Sequence, residues 1–99
     1  MPRKDERVAY INEVVLEWAS GKREARITDL SSGGCYVDTI ATIPEGESLS
    51  FSVQFADGES IALTGDVAYV MPGFGFGIKF TDLSAETKAV LDRLIKNAA

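Results

Sequence analysis

Histidine is absent from this 99-residue sequence, and cysteine occurs once, at Cys35. The first absence removes the commonest general base and the commonest metal ligand. The two together exclude a zinc centre of the usual ligand set and Cys–His nucleophilic catalysis, so no metal is expected. One cysteine rules out an internal disulfide, and in its strand-like run it is expected to be a buried, inert thiol. No apolar run has transmembrane length, and the charged start MPRKDER leads into no signal-type apolar segment. A cytoplasmic protein without direct membrane insertion is therefore expected. Bases are missing from residues 29 to 78, which hold seven acids and no Lys or Arg. With a formal net charge of −5, binding to DNA or RNA, which needs many phosphate contacts, is not expected.

What is present fits a soluble globular chain, 45% hydrophobic and 25% charged, of a length suited to one domain over residues 1–99. The bases that do occur early, Arg3, Lys4, Arg7, Lys22, Arg23 and Arg26, would form a local anion site on an acidic body if they cluster.

Alternation of apolar and polar residues dominates from Tyr10 onward. Tyr10, Val14, Leu16 and Trp18 share one face, with Asn12 as the exception, and Glu13 and Glu17 take the other. A second strand runs from Lys22 to Asp29, with Arg23, Ala25 and Ile27 alternating against Glu24, Arg26 and Thr28. A third runs from Gly34 to Ile40. The segment ESLSFSVQF alternates most cleanly and reads as a half-buried antiparallel strand. Asp57–Gly58 signals a hairpin. Ile61 to Tyr69 continues as a strand with a bulge or bend at Gly65, and Gly77 to Phe80 is the last. Trp18 and Tyr69 are expected in the core rather than as stacking platforms, and Phe74 and Phe76 in core packing rather than in an exposed partner patch. From Ser84, a plausible N-cap, the period becomes helical, with Val90, Leu91, Leu94 and Ile95 in one stripe. The expected class is mainly β: a six-stranded antiparallel barrel over 9–81, an arm over 1–8 and a C-terminal helix over 84–97.

Two short patterns stand out. Arg3-Lys4-Asp5-Glu6-Arg7 has the spacing R-x-x-x-R. Asp29-Leu30-Ser31-Ser32-Gly33-Gly34 has the spacing D-x-S-x-x-G. Alone, the first is a solvated charged tail and the second an ordinary turn. In this order, with GDVAYV and GFGIKF following and a short helix at the end, the sequence resembles the PilZ domain family over nearly its whole length. That resemblance implies a PilZ-type barrel and a receptor for the bacterial second messenger cyclic di-GMP, often bound as a stacked pair. Pro2 stands where many members carry a further Arg, and Asp5 and Glu6 offset the field of the arm.

The chemistry agrees residue by residue. Guanine N7 and O6 are adjacent acceptors for the guanidinium fork of Arg3 or Arg7. Guanine N1–H and its amino group are adjacent donors for the carboxylate of Asp29. Ser31 bonds the ligand or holds the turn, and Gly34 permits close backbone approach. Lys4 and Arg26 are candidates for phosphate contacts. No catalysis is expected, because Asp29 and Ser31 lack a histidine, and no cofactor is implied beyond the ligand itself. The implied output is an unidentified protein partner, in motility or exopolysaccharide regulation, reading an arm that becomes ordered. The alternative is a PilZ-like protein-interaction module that no longer binds nucleotide.

Overall fold

The structure, a computed structural model, describes residues 7–54, 58 and 60–98. Its elements are β1 (Val8–Trp18), β2 (Gly21–Leu30), β3 (Gly34–Asp38), β4 (Ser48–Gln54), β5 (Ser60–Met71), β6 (Gly75–Thr81) and α1 (Ala85–Ala98). The strands close a barrel in the order β1-β2-β3-β6-β5-β4, and every neighbouring pair is antiparallel. The expected six-stranded barrel with a C-terminal helix is therefore the architecture found.

The alternation read from the sequence points one residue of every two inward. Val14 and Leu16 on β1, Leu49, Phe51 and Val53 on β4, and Phe76 and Ile78 on β6 fill one core. Burial of a side chain of this size contributes roughly 1.5–3 kcal/mol. Asn12, the exception in the β1 row, has a structural task. Its side-chain amide donates to the Gln54 carbonyl at 3.1 Å and accepts from the Gln54 N–H at 3.1 Å. It thereby replaces a backbone rung between β1 and β4, where Glu17 and Ser50 form the register pair. The Tyr10 hydroxyl donates to the same carbonyl at 2.6 Å.

β3 ends at Asp38 rather than Ile40. Beyond it the Thr39 N–H is taken by the Phe74 carbonyl at 3.0 Å, outside any strand ladder, and Ile40 lies 81% exposed. Phe74 itself is exposed rather than in the core, because it sits in the turn between β5 and β6, where its N–H reaches the Met71 carbonyl at 3.0 Å. The turn expected at Asp57–Gly58 falls partly outside the described residues; Gly58 has φ +92°, which suits a tight turn. α1 starts where the period changes. The Ser84 hydroxyl accepts the Thr87 N–H at 3.0 Å, and Leu91 and Ile95 pack into the barrel core. Among the described residues no helix is long and apolar enough to cross a membrane.

Candidate functional site

Two strand irregularities build the site. In β2, Ile27 pairs with Val37 but Asp29 pairs with Tyr36, so Thr28 is an extra residue on its strand. In β5, Val67 pairs with Ile78 but Tyr69 pairs with Gly77, so Ala68 is extra there. A bulge of this kind reverses the side-chain parity of the residues beyond it. Strict alternation would send Asp29 inward with Ile27 and Tyr69 inward with Val67. The two bulges turn both outward. Asp29, Tyr36, Gly77 and Tyr69 then lie in one continuous register row across four strands on the outer face. Tyr69 is 43% exposed, against its expected place in the core, and the bulge is the reason. The irregularity in β5 sits at Ala68, while Gly65 stays in register between Leu49 and Phe80.

The carboxylate of Asp29 has two partners. Arg7 donates from Nη1 to its Oδ1 at 2.6 Å, and the Tyr36 N–H donates to the same oxygen at 3.1 Å. The side chains of Arg7 and Asp29 keep 41% and 32% of their exposure, so the pair is solvent-screened and contributes on the order of 0–1 kcal/mol. A pair this weak is readily exchanged for a ligand carrying the same two complementary edges.

Ser31 is 1% exposed. Its hydroxyl donates to the Gly34 carbonyl at 3.1 Å and accepts the N–H groups of Gly34 at 3.1 Å and Gly33 at 3.3 Å. Of the two roles open to it from the sequence, the structure displays the turn-holding one. Gly34 sits where β6 comes closest: a Cβ there would lie 2.1 Å from the Ile78 carbonyl oxygen. The close approach is thus to the barrel's own backbone.

Arg7, Ser31, Gly34, Tyr69, Gly77 and Lys79 line a shallow hollow of about 220 Å³. The Tyr69 ring lies across Gly77, where a Cβ would come within 2.2 Å of it, and the Tyr36 and Tyr69 rings stand 6.4 Å apart at 31°. Neither short sequence pattern includes Tyr36, Tyr69 or Lys79. Tyr36 carries no motif, whereas Tyr69 falls in GDVAYV and Lys79 in GFGIKF, segments that entered only as part of the resemblance; Lys79 is also the base that ends the long acidic stretch. Burial raises the Tyr36 phenol above its usual value, with Tyr69, Asp38 and Asp29 adding to the effect. Burial pushes the Cys35 thiol up to about 12; Asp29 adds to the rise and Arg7 opposes it. The thiol is an inert core group.

Arg3 and Lys4 lie outside the described residues. Arg26 faces outward but is not brought to the hollow: it pairs with Asp38 at 3.2 Å and lines a separate, larger cleft of about 1060 Å³. Five acidic side chains, Glu13 and Glu24 among them, face that cleft against Arg23 and Arg26, a poor balance for an anionic ligand. Size alone therefore does not mark the site. Among the described residues no group of three His, Cys, Asp or Glu side chains is placed to hold a metal ion.

A closed six-stranded barrel with a carboxylate and a guanidinium displayed beside a glycine turn belongs to the class of small β-barrel modules that present a site on their outer wall. A family model for the PilZ domain matches residues 2–97, and the chain belongs to that family. Solved structures agree in fold. The PilZ domain of CeSA from a cellulose-synthesizing bacterium is 22% identical, with a TM-score of 0.72, over 93% of this chain and 96% of that one. The PilZ domain of YcgR from Escherichia coli, solved with c-di-GMP, is 17% identical, with a TM-score of 0.78, over 99% of this chain and 92% of that one. PlzA of Borreliella burgdorferi, in complex with c-di-GMP, is 20% identical, with a TM-score of 0.71, over 95% of this chain and 41% of that one. No curated protein matches the chain.

Proposed function

We propose that this PilZ protein is a non-catalytic receptor for cyclic di-GMP. The observation that carries the reading is the Arg7–Asp29 pair, held at 2.6 Å on the outer barrel face beside the glycine turn. A guanine offers an acceptor edge that suits Arg7 and a donor edge that suits Asp29, so one base can replace the pair by two matched contacts. Each good bidentate contact is worth about 1–3 kcal/mol of discrimination. Solved relatives that hold c-di-GMP support the ligand class.

In this reading Ser31 and Gly34 shape the turn, and the Tyr36–Gly77–Tyr69 floor offers flat apolar surface for a base to stack against. The hollow of about 220 Å³ is smaller than a ligand with two guanines, and in this reading Arg3 and Lys4, which lie outside the described residues, add contacts to that ligand. Arg26 would have to leave Asp38 to reach a phosphate. A ligand that orders the arm would change the surface a cytoplasmic protein partner reads, and Met71 and Phe74, which are 48% and 68% exposed, offer such a partner an apolar contact. A motility or exopolysaccharide output would act through that partner.

Isothermal titration calorimetry with cyclic di-GMP, and GTP as the control, tests the reading. Saturable binding of cyclic di-GMP alone is expected, and its stoichiometry separates one ligand from a stacked pair. Absence of binding at high micromolar ligand overturns the receptor reading in favour of an interaction module without nucleotide.

A further inference from the structure

Lys79 leaves β6 on the outward side, in register with Gly34 on β3 and Asp66 on β5. Gly34 offers it no side chain. The carboxylate of Asp66 accepts the Ser48 hydroxyl at 2.9 Å, and among the described residues Lys79 forms no ion pair within 4.0 Å. Its side chain therefore lines the hollow as an uncommitted cation. Arg7 is the other base there, and it is already engaged with Asp29. Lys79 is also the first base after Arg26 in sequence, on a body whose net charge is −5. A cation carried on a strand of the barrel, beside bare glycine backbone, is placed to meet an anionic oxygen of a ligand in the hollow. An ammonium is a compact point charge with three donors, which suits a phosphate oxygen, and a guanidinium at the same place could make the same contact.

We propose that Lys79 is the barrel's own phosphate anchor, contacting a phosphodiester oxygen of the bound cyclic dinucleotide while Arg7 and Asp29 read a guanine. The assignment rests on the receptor reading above. It places one source of positive charge for the ligand on β6 itself. A contact from backbone already fixed in the barrel avoids the entropy cost of ordering a segment.

The test is calorimetric titration of the full chain with cyclic di-GMP at low and at high salt, for wild type, Lys79→Gln, Lys79→Arg and Lys88→Gln. Lys88 lies exposed on α1, outside the hollow, and serves as the charge control. Lys79→Gln is expected to weaken binding by about tenfold and to lessen its salt sensitivity, because a screened charge contact has been removed. Lys79→Arg should restore most of the affinity and the salt response, and Lys88→Gln should match wild type in both. If wild type binds and Lys79→Gln binds equally tightly with the same salt response, the anchor assignment is overturned and the receptor reading stands. If wild type itself binds no cyclic di-GMP, the receptor reading falls and takes the anchor with it. Equal thermal midpoints for the four proteins show that lost affinity is not lost folding.

Discussion

At the residue scale, a single substitution can separate the structural role of Asp29 from the recognition role proposed for it. Its Oδ1 accepts from both Arg7 and the Tyr36 N–H. Asp29→Asn keeps one oxygen for the Tyr36 N–H, so thermal stability should change by less than about 1 kcal/mol. The amide offers a single acceptor where guanine presents two donors, so cyclic di-GMP affinity should fall by about tenfold or more in a titration. Cys35 makes a different prediction. Its folded pKa of about 12 lies above the ordinary 9.0, because burial favours the neutral thiol. The stability this implies is fully present below pH 9.0 and is lost as pH rises toward about 12, since the unfolded thiol gives up its proton first. Tyr36, also raised, loses stability in the same direction from its own higher starting point. Denaturant midpoints measured at about pH 8 and about pH 11 should fall more for wild type than for Cys35→Ala.

At the element scale, the outer row depends on the bare backbone between two tyrosines. A Cβ at Gly77 would meet atoms of the Tyr69 ring at 2.2 and 2.4 Å, and that ring is on the surface and free to swing. Gly77→Ala should therefore leave the barrel folded, as read by circular dichroism, while displacing Tyr69 and weakening ligand binding. A variant at Gly34 cannot serve the same purpose, because its Cβ would meet the Ile78 backbone instead. The helix has its own test. Ser84 caps the first turn through the Thr87 N–H, and Ser84→Ala should cost about 1 kcal/mol in chemical denaturation. Ligand affinity should stay unchanged, since α1 contributes nothing to the hollow.

At the scale of the whole molecule, the site exists only in the closed barrel. Arg7 comes from ahead of β1, Asp29 from β2, Tyr69 from β5 and Lys79 from β6, so no contiguous piece of chain carries it. A ligand that needs all of them binds the folded state alone. At a concentration of about one hundred times its dissociation constant, it stabilises the fold by about 2.7 kcal/mol. For a chain of this size that corresponds to a rise in Tm of roughly 10–20 °C. Differential scanning fluorimetry with cyclic di-GMP and with GTP should show the rise for the first alone.

Period-two alternation, turn residues and the change of period at Ser84 determined the strands, the helix and the barrel class, because each is a local consequence of which side chains follow one another. The spacing of R-x-x-x-R and D-x-S-x-x-G likewise singled out Arg7, Asp29, Ser31 and Gly34 as candidates. Which face those residues take was decided only by strand pairing. Asp29 and Tyr69 point outward because Thr28 and Ala68 are each unmatched across the ladder, and a bulge belongs to two strands at once. Continuing the alternation through these points is what placed Tyr69 in the core. Asn12 stood out as a broken pattern, yet its meaning required Gln54, 42 residues away. Lys79 was visible as a base after a long acidic stretch, inside GFGIKF, but with no role attached. Its position over Gly34 comes from the β3–β6 register that closes the barrel.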